Sequence, residues 1–273
     1  MPTSPRCSHV PNPRGGSNVE VGQVAIATVR LDPQWTIAGN SNGGYLGALI
    51  SSLAAEVLGA PAVTFSVHYL AAGRAGAEVT VRTEVLRVGR LSTVRVEVRD
   101  AEAIVLSALV TCGVPKQFPQ QYQHLEPPRL PPWAECGDMR GVLAVAGNEL
   151  LEHLEIRADP PSRAILTSRG NLDYPAIAAR VAYRDGTATD RFLVASAWDV
   201  LAPTSWLAGH WGGAPTVAAQ VELFPGEPAR GPLVVRCQSD AMRAGMVDET
   251  AHVWDAAGSL VAVARQTALF IPA

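Results

Sequence analysis

Strict alternation between apolar and polar residues predicts antiparallel β-strands in the first half of the chain. The apolar positions of one predicted face are Val79, Val81, Val85, Val94, Val96 and Val98. Charged residues such as Glu84 and Arg95 occupy the other face, and Gly89-Arg90 marks a turn between the two strands. This period of two, with one dry face, is typical of an antiparallel sheet that covers a core on one side.

The segment from Gly43 to Ala60, "GGYLGALISSLAAEVLGA", contains a single charged residue, Glu56. A helix that is apolar nearly all round must be enclosed by the rest of the protein. A strongly curved sheet wrapped around one buried helix satisfies both patterns, so the sequence predicts an α+β fold. The glycines and serines of this segment argue against a membrane span, and we expect no insertion into a membrane.

The chain contains an internal repeat. Residues 63–113 and 215–271 each predict four strands after a helical segment, and His68 aligns with Glu222 at an offset of 154 residues. The same offset aligns Arg82 with Arg236, and it places Tyr45 over Asp199. One shared offset at three separate places indicates a duplication, whose copies would lie side by side in one pseudo-symmetric body.

Prolines and polar residues between the copies mark a linker, and the N-terminus "MPTSPRCSHVPNPRGGSN" has the composition of a disordered lead-in. The predicted organisation is a lead-in at 1–20, an N-terminal repeat at 21–113, a linker at 114–150 and a C-terminal repeat at 151–273.

The composition limits which partners and which cellular compartment are expected. The net charge of −3 leaves no basic surface for nucleic acid. The N-terminus lacks the apolar core of a signal peptide, so we expect a cytoplasmic protein. The four cysteines form no C-x-x-C pair, and the histidines have no metal-ligand spacing. We therefore expect no metal site and no cofactor.

The sequence "GNSNG" around Ser41 matches the G-x-S-x-G nucleophile elbow of serine hydrolases. That elbow needs a buried parallel strand before the serine, whereas Asp32 and Pro33 stand where such a strand should be. Antiparallel rather than βαβ patterning follows it. The alternative is that Asn42 or Ser41 caps the predicted helix, and we favour a cap at Ser41 over a nucleophile.

Six segments in order resemble a known family. "NGGYLGAL", "VHYLAAGRAG" and "EVLRVGRLSTVRVEV" resemble the first half of the double-hotdog acyl-CoA thioesterases, the bacterial thioesterase II type. "WDVLAP", "PTVAAQVELF" and "VWDAAGSLVAVARQTALF" resemble the second half. The resemblance implies a double-hotdog fold, an acyl-CoA substrate and association into a homo-oligomer. The linker and "HWGGA" depart from the family pattern, which bears on acyl-chain preference.

The resemblance also implies a site. In that family an Asp on the second helix, a Thr opening the next long strand and a Gln on the last strand together hold the hydrolytic water. Matching segments carry these roles onto Asp199, Thr216 and Gln266.

The residues support two of these positions independently. Asp199 is the only ionisable group in an apolar helical stretch, so it must be paired, hydrogen-bonded or shifted in pKa unless it caps the helix or turns to solvent. Gln266 shares a dry strand face with alanines, where an amide needs a partner among backbone groups or a bound water. Alternation places Thr216 on the more polar face of its strand, with Gln220 and Glu222.

The repeat makes the polar trio asymmetric. Tyr45 and Ala62 stand in the first repeat where Asp199 and Thr216 stand in the second, and Val110 or Thr111 stands opposite Gln266. The need to keep the fold does not explain this difference between the repeats. The difference is explained if one repeat contains a working site and the other has lost its site.

Three further residues are candidates for substrate binding. The backbone N–H groups of Gly43 and Gly44, at a helix N-terminus, are candidates to stabilise the oxyanion. His68 is a candidate base or binding group, or else a strand histidine near the seam between the repeats. We interpret Asp248-Glu249 as a solvated turn or strand face.

The predicted function is hydrolysis of acyl-CoA to free acid and CoA, by a water that Asp199 activates without a covalent intermediate. Three alternatives stay open at this point: a non-catalytic acyl-CoA-binding protein, a serine esterase using Ser41, and, more remotely, a hydratase on the same fold.

Overall fold

The computed structural model describes residues 19–101, 103–116, 121–143, 147–226 and 229–273. Most of the predicted lead-in, with Cys7, lies outside these residues.

The N-terminal half of the described chain contains seven strands and one helix. Its elements are β1 (Val24–Arg30), β2 (Thr36–Ile37), β3 (Asn40–Ser41), α1 (Gly43–Leu58), β4 (Ala62–Tyr69), β5 (Glu78–Arg87), β6 (Leu91–Arg99) and β7 (Ile104–Gly113). A single 3-10 turn, Pro33–Trp35, stands between β1 and β2.

The C-terminal half begins inside the predicted linker, where β8 forms an edge strand. Its elements are β8 (Gly137–Asp138), α2 (Leu150–His153), β9 (Leu154–Ala158), α3 (Pro160–Ser168), β10 (Ala176–Tyr183), α4 (Arg191–Ser196), α5 (Thr204–Leu207), β11 (Gly212–Gly213), β12 (Thr216–Leu223), β13 (Leu233–Arg243), β14 (Met246–Trp254), β15 (Leu260–Leu269) and β16 (Ile271–Pro272).

Twelve strands form one continuous sheet in the order β1-β5-β6-β7-β4-β12-β15-β14-β13-β10-β9-β8. Strands that are neighbours in this sheet run antiparallel, and the order is mirrored about the seam where β4 pairs with β12. The four strands predicted for each repeat are present. The structure adds β1 and β10, which extend the two mirrored sets, and it adds β9 and β8 beyond β10, which have no counterpart among the described strands of the N-terminal half.

Burial confirms the predicted alternation. The six valines of the predicted dry face are at most 1% exposed. They pack with the apolar face of α1 into one hydrophobic core. Apolar burial of this kind is the main driving force for the fold.

Helix α1 is enclosed, as its composition predicts. Asn42 is its N-cap and accepts a hydrogen bond from the Tyr45 N–H, while Gly59 ends it in the left-handed region at φ 64°. Gly47 allows close packing on the sheet, because a Cβ there would lie 2.8 Å from the Phe65 ring. None of the helices in the described part of the chain is long and apolar enough to cross a bilayer.

The helices of the two halves do not follow the strand offset. Asn42 caps α1 and Asp190 caps α4, a separation of 148 residues rather than 154. The second helix is broken, because α4 passes into a 3-10 turn, Ala197–Asp199, and the chain resumes as α5 after Pro203. The alignment of Tyr45 with Asp199 was therefore wrong by six residues.

Candidate active site

Asp199 ends the 3-10 turn that follows α4, and its carboxylate meets the N-terminus of α1. Its Oδ2 atom accepts hydrogen bonds from the Gly44 N–H at 3.0 Å and from Asn42 Nδ2 at 3.1 Å. Asn42 Nδ2 also lies 2.7 Å from the carbonyl oxygen of Asp199. The unpaired amides and the dipole at a helix N-terminus favour a negative charge at this point.

The environment raises the pKa of Asp199 to about 7. Burial is the main cause, because it disfavours the charged form, and the nearby charge of Glu249 acts in the same direction. Hydrogen bonds from Gly44, Gln266 and Gly43 oppose the shift, since they stabilise the carboxylate. The Asp199 carboxyl group therefore changes its protonation near neutral pH.

Close packing fixes the helix N-terminus against this carboxylate. A Cβ at Gly44 would lie 2.3 Å from the Ser196 carbonyl oxygen and 3.1 Å from Asp199 Cβ. The Tyr69 hydroxyl donates to the Gly43 carbonyl at 2.6 Å, and burial raises the pKa of Tyr69 well above its ordinary value. The sequence requires glycine at 44 because no side chain fits there.

Gln266 projects from β15 onto the buried face of the sheet, as alternation predicts, and it is 6% exposed. Its Oε1 atom accepts a hydrogen bond from Thr216 Oγ1 at 2.6 Å. Its Nε2 atom donates to Glu249 Oε2, also at 2.6 Å. Both ends of this amide therefore have a partner.

Thr216 faces the same side of the sheet as Gln266, whereas alternation placed it on the polar side. The pairing of β12 with β15 shifts register between Thr216 and Ala218, and a β-bulge of this kind re-aims the side chains at its start. The equivalent irregularity recurs between Ala62 and Thr64 in the pairing of β4 with β7. The bulge is thus a feature of both halves, but only one carries a hydroxyl there.

Glu249 belongs to the site, so the interpretation of Asp248-Glu249 as a solvated face was wrong for Glu249. Its side chain is on the buried face of β14 and only 4% of the residue is exposed. Oε1 accepts hydrogen bonds from the Thr204 N–H at 2.7 Å and from Thr204 Oγ1 at 2.5 Å. Asp248 alone faces outward, where it pairs with Arg265.

A cavity of about 30 Å³ lies between these groups. Asp199, Glu249 and Gln266 form its polar side, and Trp198, Pro203 and Ala214 are among its apolar neighbours. A cavity of this size with several polar partners has room for one or two water molecules. Among the described residues, no group of three or more His, Cys, Asp or Glu side chains has a metal-binding arrangement.

The mirrored sheet locates the counterparts of these groups. Gln266 pairs with Glu249 in the C-terminal half, and the matching pair in the N-terminal half is Val110 with Val94. The counterpart of Gln266 in the N-terminal half is therefore Val110 rather than Thr111. The N-terminal half has apolar side chains where the C-terminal half has a hydrogen-bonded network.

The other sequence candidates have different surroundings. Asn42 rather than Ser41 caps α1, and Ser41 lies in the two-residue strand β3, with no parallel strand leading into it among the described residues. His68 is exposed at the seam, where it pairs with Ala218, on the outer side of the sheet from the site. The amides of Gly43 and Gly44 face Asp199.

Comparison with protein families identifies both halves. The model of the acyl-CoA thioesterase N-terminal domain matches residues 31–113, and the model of the acyl-CoA thioesterase C-terminal domain matches residues 123–270. No curated protein matches the chain.

Solved structures share the fold over nearly the whole chain. A protein from Thermobifida fusca YX, provisionally assigned as a thioesterase II, is 27% identical, with a TM-score of 0.80 over 93% of this chain and 96% of its own. A hot dog fold protein of unknown function from Alicyclobacillus acidocaldarius is 14% identical, with a TM-score of 0.78 over 91% and 94%. An acyl-CoA thioesterase II from Mycobacterium marinum is 16% identical, with a TM-score of 0.66 over 91% and 93%. The predicted α+β double hotdog is confirmed.

Proposed function

Because the chain belongs to the acyl-CoA thioesterase family, we propose that it hydrolyses acyl-CoA to a free carboxylic acid and CoA. The observation that carries the proposal is the Asp199 carboxylate at a water-sized cavity, with its pKa raised to about 7. A base with a pKa near the working pH is the most effective one, because it is ionised and still accepts a proton readily.

In this mechanism a water occupies the cavity and donates one hydrogen bond to Asp199. Thr216 Oγ1 donates its own proton to Gln266, so its lone pairs are free to accept the second hydrogen of the water. The oxygen of the water attacks the thioester carbonyl carbon while Asp199 takes its proton. Collapse of the tetrahedral intermediate breaks the carbon–sulfur bond, and the departing CoA thiolate takes the proton from Asp199.

In the proposed mechanism, Gly43 and Gly44 act on the Asp199 carboxylate. Their amides lower the pKa that burial raises, so they keep the carboxylate ionisable in an apolar setting. We therefore assign them to holding the base rather than to the substrate oxygen as the sequence suggested. His68 has no part in the mechanism, since it lies on the outer side of the sheet.

We also propose a cytoplasmic homo-oligomer. The described cysteines, Cys112, Cys136 and Cys237, are free and buried, as in proteins of a reducing compartment. Strand β1 is an edge of the large sheet, and Val24 and Ile26 on its outer side are 44% and 69% exposed. An apolar edge strand favours pairing with a second copy. Light scattering on the purified protein tests the association of copies, and a monomer would contradict it.

Thiol release from a panel of acyl-CoAs, short to long and straight to aromatic, tests the proposed reaction. We expect release with at least one member. Tight binding of acyl-CoA without release from any member would instead identify a non-catalytic acyl-CoA-binding protein.

A further inference from the structure

We propose that Glu249 is a positioning residue that fixes the direction of the hydrogen bonds running from Thr204 through Gln266 and Thr216 to the hydrolytic water. This inference rests on the proposed function for its last link, the water. The other links are hydrogen bonds of the protein alone.

In the described part of the chain, the groups hydrogen-bonded to Glu249 act as donors. The Thr204 N–H is a backbone group that donates and never accepts, and it holds Oε1 at 2.7 Å. The other oxygen, Oε2, is 2.6 Å from Gln266 Nε2. A carboxylate with one oxygen held by a backbone donor has only an acceptor to offer to the amide of Gln266.

The amide of Gln266 therefore has one favourable orientation. Turned by 180°, it would place Oε1 against Glu249 Oε2, so two acceptors would meet in a buried site. In the observed orientation Nε2 faces Glu249, and Oε1 is left for Thr216 Oγ1 at 2.6 Å. An amide is symmetric enough in shape that its partners decide its orientation, and Asp199, which also accepts a hydrogen bond from the Gln266 side chain, favours the same orientation.

The orientation of the Gln266 amide also determines how Thr216 hydrogen-bonds to the catalytic water. With its proton committed to Gln266, the Thr216 oxygen accepts from the water and does not donate to it. A water that donates to Thr216 and Asp199 keeps a lone pair free for the carbonyl carbon. Reversal of the amide would turn the Thr216 hydroxyl toward the water, so that Thr216 would no longer accept the second hydrogen of the water and would occupy one of its two lone pairs.

Glu249 also acts on Asp199 through space. Among the residues that the structure describes, three titratable groups face Asp199 from the sheet: Tyr69 on β4, Cys237 on β13 and Glu249 on β14. Burial raises the pKa of both Tyr69 and Cys237 well above the ordinary values, so these two are neutral at pH 7. The charge of Glu249 is thus the one that raises the pKa of Asp199. Its removal moves the protonation of Asp199 to lower pH.

Glu249→Gln tests the proposal at constant side-chain volume. The Thr204 N–H holds the new Oε1, so the new Nε2 faces Gln266 and reverses its amide. We expect kcat to fall about 10- to 100-fold with KM within a few-fold of the parent value. The acid limb of the pH–rate profile is expected to move to lower pH, because the Glu249 charge raises the pKa of Asp199 by more than the Gln266 hydrogen bond, which the reversal removes, lowers it. The matched control is Asp248→Asn, which removes the neighbouring charge on the outer side of β14 and leaves both quantities unchanged.

A second readout does not depend on turnover. In protein labelled with ¹⁵N-glutamine, the Gln266 side-chain amide, assigned by its loss in Gln266→Leu, is expected to shift in Glu249→Gln and to stay in place in Asp248→Asn. Should the parent release no thiol from any acyl-CoA, the proposed function fails, while this signal still decides the amide orientation.

The inference is overturned if Glu249→Gln leaves the Gln266 amide signal in place. For an active parent, it is also overturned if the folded Glu249→Gln variant has an unmoved acid limb, or a kcat within about threefold of the parent value. If Glu249→Gln does not fold, Glu249→Asp keeps the charge but withdraws the carboxylate by one methylene. It is expected to lower kcat at least about tenfold, and a parent-like kcat contradicts the proposal.

Discussion

The Asn42 side chain of the N-terminal half holds the Asp199 carboxylate of the C-terminal half. Asn42 Nδ2 lies 2.7 Å from the Asp199 carbonyl oxygen and 3.1 Å from Oδ2, across 157 residues of sequence. Asn42 Oδ1 meanwhile accepts the Tyr45 N–H at 3.0 Å and so caps α1. The half that lacks the polar trio therefore supplies groups that hold the Asp199 carboxylate.

Asn42→Asp is expected to move the acid limb of the pH–rate profile to higher pH, by about one unit. An aspartate caps a helix as well as an asparagine does, so α1 keeps its cap, but a second carboxylate then faces Asp199. Asn42→Ser, which keeps the cap without adding charge, is the control and is expected to show the smaller shift. An acid limb unmoved in Asn42→Asp contradicts the assignment of Asp199 as the base.

The parent protein is expected to gain thioesterase activity as the pH rises through about 7. Only ionised Asp199 accepts a proton, and its pKa is raised from 3.8 to about 7. The value of kcat/KM should therefore fall about tenfold for each pH unit below 7 and level off above it. Initial rates with acyl-CoA across this range measure the profile. A flat profile down to pH 5 excludes a base with this pKa.

Strand patterning and family resemblance predict much of this structure. The valine alternation gives β5 and β6 with the correct buried faces, and the lone amide of Gln266 is on the face that alternation assigns. Alternation fails at Thr216 because a β-bulge changes the side on which the residue lies, and a bulge leaves no mark in a pattern of apolar residues.

Two other misses have different causes. Glu249 shares its strand face with Val247, Ala251 and Val253, so the pattern contained the signal, but its acidic neighbour made the pair resemble a solvated surface. The segment between α4 and α5, which contains Asp199, carries extra residues that no uniform offset between the repeats describes. The long-range contact of Asn42 with Asp199 is made in this segment.

Gly44→Ala is expected to lower both stability and activity. The added Cβ would meet the Ser196 carbonyl oxygen at 2.3 Å and press on Asp199. Overpacking of this kind costs about 1–3 kcal/mol of the free energy of unfolding, and displacement of Asp199 lowers kcat as well. The control is Gly59→Ala at the other end of α1, where no atom lies within 4 Å of the added Cβ. It should lower the melting temperature through its φ of 64° and leave kcat unchanged.

Thr216→Val is expected to lower kcat about 10- to 100-fold while the protein stays folded. The valine has the shape of threonine but offers no oxygen to the water and leaves Gln266 Oε1 without its donor. Thr216→Ser keeps the hydroxyl and is expected to retain most activity in the same steady-state assay. A folded Thr216→Val variant with the rate of the parent would show that the hydroxyl has no part in the reaction.

The most direct measurement compares thiol release by the parent and by Asp199→Asn, at pH 8, with the acyl-CoA that the panel ranks first. We expect kcat to fall by a factor of about 10² to 10⁴, with binding of a non-hydrolysable thioether analogue retained. The variant should unfold no earlier than the parent. The pKa of Asp199 is about 7 in the folded protein and 3.8 in the unfolded chain, so the free energy of unfolding of the parent falls as the pH rises between these values. Asparagine does not titrate, so the variant avoids this loss. A folded Asp199→Asn variant that releases thiol at the parent rate would show that Asp199 is not the base.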